Sequence, residues 1–168
     1  HGDWERSYTF GNHWIRGHSP LFLSMNRNKR SIVVNLKTPG GRELIRRMVR
    51  KCDVVVENGR PGVMKRLGLD YESLREIKPD LIYCSATGYG STGPYAHRPG
   101  QDLLIQGLSG LLSITGSAGD IPTTSGTPVA DAHGSRAIVI GILLALFHRE
   151  RTGEGQLVET CLLDALVA

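Results

Sequence analysis

Runs of strand length, rich in β-branched residues, alternate with stretches of helical period, and this alternation restricts the fold more than any other feature. Ser31-Ile32-Val33-Val34-Asn35-Leu36 is short and β-branched, which predicts a buried strand. Thr38 then stands as an N-cap with Pro39 at the first helical position, and Leu44, Ile45, Met48 and Val49 share one stripe of the helix that follows. Asp53-Val54-Val55-Val56-Glu57 predicts a second buried strand and Leu81-Ile82-Tyr83-Cys84-Ser85-Ala86 a third, with short helices over 61–67 and 71–77 between them. Strands and helices in that order form βαβ units. The fold expected is α/β, with a Rossmann-like, largely parallel sheet and flanking helices. In such sheets ligands bind at the carboxyl ends of the strands. Asn58 and the loop 88–94 fall there.

The second half follows the same logic. Residues 88–100 form a loop rich in glycine and proline, 102–113 a helix with Asp102 near its start, and 116–128 another loop. A long buried helix is expected over 131–149, ended by Thr152-Gly153-Glu154-Gly155, with a final strand over 156–160. Residues 1–28 have no clean period and are read as a long loop holding short pieces of structure. Asp131 opens the long helix in Val129-Ala130-Asp131-Ala132-His133-Gly134. A carboxylate there lies among unpaired backbone N–H groups, which favour its charge and fix its direction. By position alone it is an ordinary N-cap, worth about 1 kcal/mol to the helix.

Composition narrows the classes. The chain has 168 residues, enough for one core, and its 21 glycines exceed ordinary usage, as loops that meet a ligand closely require. Three cysteines without metal-type spacing (Cys52, Cys84, Cys161) argue for a reducing compartment, hence a cytoplasmic protein, and for no metal site. The longest apolar run, 137–147, is short of a membrane span, and no signal peptide is visible. The net charge of +4 is mild and no nucleic-acid motif accompanies it. Basic residues cluster at 27–30 and 42–51; the second cluster reads as a solvated helix face, with a phosphate-bearing ligand as the sharper alternative. His1 at one end and an apolar helical pattern at the other suggest an internal piece of a longer protein.

A set of segments, in order, carries a resemblance. They are Asn26-Arg27-Asn28-Lys29-Arg30-Ser31, Leu36-Lys37-Thr38-Pro39, Val56-Glu57-Asn58 and Gly62-Val63-Met64-Lys65-Arg66-Leu67-Gly68. Gly88-Tyr89-Gly90 and Arg151-Thr152-Gly153-Glu154-Gly155-Gln156 complete it. Over essentially its whole length the chain resembles the family III CoA-transferases, which include formyl-CoA transferase, carnitine-related CoA-transferases and α-methylacyl-CoA racemase. The resemblance implies that residues 1–168 are part of a large CoA-binding α/β domain of a two-domain chain, with an N-terminal strand and a C-terminal half outside it. It also implies an interlocked homodimer, no permanently bound cofactor, and an acyl-CoA thioester and a carboxylic acid as substrates.

By the same resemblance Asp131 matches the catalytic aspartate. Its carboxylate would attack the thioester to give a mixed anhydride, then an aspartyl-CoA thioester from which an acceptor carboxylate takes the CoA. Such a nucleophile must be oriented, partly desolvated and ionised. Asp102 either supports Asp131, lines the acyl site or caps a helix. Lys37 and Arg66 match positions near the nucleotide end of CoA. Val34, Leu36, Val63 and Leu67 match apolar positions around it, with strand packing the alternative for Val34 and Leu36. Asn58 and Gly59 match the turn that meets the pantetheine arm. Racemases resembling this chain carry a histidine where Gln101 stands; glutamine does not titrate, which counts against two-base proton exchange and for transfer. His97 and His133 lie nearby but not at that position. A racemase and a non-catalytic CoA-binding paralogue are the two alternatives.

Overall fold

The computed structural model describes residues 2–168, the side chain of Phe10 excepted, and His1 lies outside the described residues. It divides into two units, one ending at Asn35 and the other running from Leu36 to Ala168.

The first unit has little regular structure. Short 3-10 turns span Trp4–Ser7 and Phe10–Asn12, and helix α1 spans Pro20–Met25. Buried Ser19 caps α1, its hydroxyl accepting from the Phe22 N–H at 3.2 Å. The Arg6 guanidinium lies 4.0 Å from the centre of the Phe22 ring. The strand expected over 31–36 does not form. No strand runs over 31–36, and Ile32 and Val33 are exposed. β-branched composition records fitness for a half-buried pleated surface, and without a neighbouring strand it does not make one.

The second unit is the α/β body. Helix α2 (Pro39–Val49) starts as expected, Thr38 Oγ1 accepting from the Gly41 N–H at 3.1 Å. Then come β1 (Val54–Glu57), α3 (Val63–Leu67), α4 (Tyr71–Arg75) and β2 (Ile82–Thr87). Helices α5 (Asp102–Leu108), α6 (Leu111–Ile114) and α7 (Val129–Thr152) lead to β3 (Leu157–Cys161) and α8 (Leu162–Val167). The sheet is parallel throughout, in the order β1-β2-β3, with Val54 opposite Ile82 and Tyr83 opposite Leu157. Val49, Leu69, Leu74, Leu81 and Tyr83 form the core beside it, with Leu36, Met64 and Leu67 packed against them.

Two helices differ from expectation. The single helix expected over 102–113 is two, because Gly110 turns the chain with φ of 84°. Helix α7 starts at Val129, two residues before Asp131, and is not buried. Val139, Ile140, Leu143, Leu144 and Phe147 are exposed, while Ala130, Gly134 and Ala145 face inward. An all-round apolar helix predicts burial on every side, but the sheet with α5 and α8 covers one side only. The uninterrupted apolar run understated this helix. Over its 24 residues it is long and apolar enough to cross a membrane, a composition that the core helix of a packed domain shares. One side of it packs against β2, β3, α5 and α8.

Candidate active site

The direction of α7 decides where its functional end lies. Near its C-terminus Arg149 donates to the Asp80 carbonyl (3.2 Å) and to Asp53 Oδ1 (3.0 Å), the residues that lead into β2 and β1. In mid-helix Gly141 faces Val158 of β3, and near the N-terminus Gly134 is pressed against Leu162, just beyond that strand. The helix therefore runs antiparallel to the sheet and sets Asp131 at the carboxyl ends of the strands, the edge where parallel sheets bind ligands.

Asp131 is not the N-cap. It sits inside the first turn, and Pro128 at the cap position offers no side-chain acceptor. The acceptor comes from another element: the Asp131 N–H donates to Asp102 Oδ1 at 3.0 Å. Asp102 is the first residue of α5, and its other oxygen accepts from Gln106 Nε2 at 2.5 Å. Gln106 is buried, and its Oε1 accepts from the Ser125 N–H at 3.1 Å, in the loop that leads to α7. Asp102 thus satisfies one of the orphan donors of the helix that carries Asp131. Sequence reasoning missed Gln106 and Ser125. The spacing of Asp102 and Gln106 puts them on one helix face, but no local pattern links that face to Ser125 or Asp131.

The loop 88–100 joins β2 to Asp102, and its two ends nearly touch. A Cβ on Gly88 would lie 2.4 Å from Gly100 Cα, so only glycine permits this crossing. The Gly88 carbonyl also accepts from Leu163 N–H at 3.1 Å, which fastens the loop to α8. Within the loop the Tyr89 and Tyr95 rings pack at 5.8 Å and Arg98 stacks on Tyr95 at 4.5 Å. These contacts make the tyrosines anchors of the loop. Gln101 is exposed and precedes α5.

At the end of β1, Glu57 fixes the turn. One carboxylate oxygen accepts from the Gly59 N–H at 2.7 Å and the other from Ser85 Oγ at 2.5 Å, so Asn58 is exposed at the tip. Gly59 lies beside Val63, while Arg66 is exposed on the following helix. Leu36 and Leu67 pack on the same core cluster, so these two are chiefly core residues. Lys37 is exposed, and its carbonyl and that of Leu36 accept from Arg42 Nη1 at 3.1 and 3.2 Å. Val34 belongs to the first unit and is half-buried. In the basic cluster, Arg42 and Arg46 hold main-chain carbonyls while Arg47, Arg50 and Lys51 are exposed.

A hollow of about 140 Å³ opens beyond β2 and β3, lined by Ser85, Thr87, Ser91, Thr92, Glu159 and Asp164 among others. Ser91 and Thr92 belong to the loop 88–94 expected at this edge, whereas Ser85, Thr87, Glu159 and Asp164 were not singled out from the sequence. Tyr83 belongs to the core: its hydroxyl donates to the Leu69 carbonyl at 3.2 Å, and burial, aided by the charges of Glu57 and Asp70, pushes its pKa far up. His133 Nδ1 lies 2.9 Å from the Val129 carbonyl in its own helix.

Comparison with known proteins places this arrangement. The family model described as CoA-transferase family III matches residues 1–168. The chain is 52% identical to the succinate–glutarate CoA-transferase of Agrobacterium fabrum, over 85% of this chain and 36% of that protein. It is 44% identical to the acetyl-CoA:oxalate CoA-transferase of Acetobacter aceti, over 100% of this chain and 43% of that protein. The crystal structure of a CAIB/BAIF family protein from Brucella suis superposes with a TM-score of 0.92 at 43% identity, over 99% of this chain and 44% of that one. The chain thus spans less than half the length of these relatives. On its sequence and its fold alike, it belongs to CoA-transferase family III.

Proposed function

We propose that the protein carrying this chain moves CoA from an acyl-CoA thioester to a carboxylic acid, with Asp131 as the nucleophile. A carboxylate oxygen of Asp131 attacks the thioester carbonyl, the C–S bond breaks, and CoA leaves as its thiolate. The thiolate then attacks the Asp131 carbonyl carbon of the mixed anhydride and expels the donor's acid, leaving an aspartyl-CoA thioester. The acceptor carboxylate repeats the two steps in reverse and regenerates the Asp131 carboxylate. Each step needs that side chain held in one place against the reacting carbon. The observation that carries the reading is the fixation of the Asp131 main chain by Asp102 at the carboxyl end of the sheet.

Asn58, Gly59, Val63 and Arg66 at the end of β1 and on α3 are assigned to the CoA arm and its phosphates, with Lys37 as a further cation; Leu36 and Leu67, packed on the core, would back this surface from beneath. Exposed guanidinium and ammonium groups suit phosphate recognition. The names of the relatives favour dicarboxylates as acceptors and make succinyl-CoA the first donor to try. CoA thioesters are substrates and no resident cofactor is assigned. Residues 1–168 are assigned to the CoA-binding domain of a cytoplasmic, interlocked homodimer that acts without nucleic acid or membrane.

The racemase reading keeps Asp131 but needs a second base, and the exposed Gln101 is none. Isotope exchange separates the readings. With succinyl-CoA alone, the full-length protein is expected to pass label from free succinate into succinyl-CoA, and Asp131→Ala is expected to abolish this. Solvent deuterium entering the α-carbon of a 2-methylacyl-CoA, without label exchange, would favour the racemase. CoA binding with neither exchange would favour the non-catalytic paralogue.

A further inference from the structure

We infer that Gln106 is a positioning residue for the reaction and that it works together with Asp102 as a polar pair holding Asp131; this rests on Asp131 being the nucleophile. The chemistry of the three hydrogen bonds fixes the orientation of every group. A main-chain N–H only donates and a carboxylate oxygen accepts. Gln106 must therefore turn its NH₂ toward Asp102 Oδ2 (2.5 Å) and its carbonyl toward the Ser125 N–H (3.1 Å). With Oδ2 occupied, Oδ1 is left for the Asp131 N–H (3.0 Å).

One buried amide thereby locks two things at once. It sets the carboxylate plane of Asp102 on α5, and it anchors the loop 116–128 six residues before Asp131. Gln106 is 2% exposed, so both its groups require these partners, because an unmatched buried amide is costly. Asp131 is thus fixed from α5 through its main chain and from the loop through the segment that feeds α7. In this arrangement Asp102 acts by accepting hydrogen bonds, and its negative charge is not itself required. The polarity of the pair is then exchangeable. Asn at 102 would accept from the Asp131 N–H and donate to Glu at 106, whose second oxygen would accept from Ser125. All three bonds survive the exchange.

The test uses the full-length protein and four forms: parent, D102N, Q106E and D102N/Q106E. CoA transfer from succinyl-CoA and thermal unfolding are measured on each. D102N forces one donor to face another, and Q106E sets two carboxylates face to face. Each is expected to lower kcat about 10²-fold, the cost of a misplaced reacting group, with KM for succinyl-CoA little changed. The double variant is expected to recover kcat to within about tenfold of the parent and to unfold above both single variants, a non-additivity that only direct coupling gives. Single variants with parental kcat, a double variant no faster than the slower single, or one that fails to fold would each overturn the inference. A double variant that folds but stays inactive would show that the charge of Asp102 is needed in the chemistry. Where a single variant is too unstable to assay, the double alone decides in the same way. A parent protein that transfers no CoA would refute the underlying reading of Asp131, and the assigned role with it, whatever the unfolding temperatures.

Discussion

The place of Asp131 was legible in the sequence because a carboxylate at the head of an apolar helix stands out, and the structure sets it in the first turn of α7. Asp102 could be named beside it as one support among other roles, but Gln106 and Ser125 could not. Asp102, Gln106, Ser125 and Asp131 meet only once α5, a loop and α7 are folded against one another. The glycines of the loop 88–100 carry a comparable hidden constraint. The sequence marks them as loop residues, whereas the structure requires Gly88 and Gly100 at a backbone crossing where a Cβ has no room. Gly88→Ala is therefore expected to destabilise the protein by about 1–3 kcal/mol, the usual cost of overpacking, and to lower CoA transfer by shifting Asp102. Chemical denaturation and initial rates check it, and an unchanged midpoint would contradict the crossing. The cysteines make a second residue-scale case. Burial, with the charge of Glu57 added for Cys84, raises the pKa of Cys84 and Cys161 and keeps them as thiols. Alkylation near pH 8 is expected to modify Cys52, which is partly exposed, well before either of them, as peptide mass mapping would reveal.

At the scale of elements, the alternation of β1, α3, α4 and β2 follows from pattern alone, and the boundaries lie within a few residues of those expected. The failures have physical causes. Residues 31–36 have strand composition but form no strand, and the helix expected over 102–113 breaks where Gly110 takes a left-handed turn. The direction of α7 also rests on contacts that sequence does not display, chiefly Arg149 on Asp53 and the Asp80 carbonyl. Arg149→Met is expected to cost about 1 kcal/mol, because the Asp53 end of the contact is open to solvent. Asp80 adds a pH dependence. Its hydrogen bond from Lys78, helped by the charges of Lys78 and Arg149, holds its pKa below the ordinary 3.8 in the folded state. A depressed carboxylate stabilises the fold above its unfolded pKa and loses that contribution as pH falls through the folded value. Asp80→Asn should therefore destabilise the protein near neutrality and leave unfolding less acid-sensitive below about pH 4 than in the parent. Parallel acid-limb slopes in the two proteins would contradict this.

At the scale of the whole molecule, the α/β class and the family were readable because whole segments, in order, carry them. The outer face of α7 was not. An apolar helix gives no sign of which side a neighbour covers, and here Val139, Ile140, Leu143, Leu144 and Phe147 remain exposed in a chain spanning less than half its relatives' length. Contiguous exposed apolar surface of this kind drives association. Expressed alone, these 168 residues are expected to self-associate with rising concentration, and Ile140→Glu with Leu144→Glu to reduce it, measured by sedimentation velocity. A monodisperse parent chain would count against that expectation.

The central claim concerns one bond, between Asp131 and the CoA sulfur or the donor acyl group, and it is directly observable. The full-length protein would be incubated with succinyl-CoA, quenched with hydroxylamine, digested and mapped by mass spectrometry. The account predicts a hydroxamate at Asp131, dependent on succinyl-CoA or another acyl-CoA donor and absent in Asp131→Ala. A protein that binds CoA and transfers it without any adduct on the Asp131 peptide would contradict it.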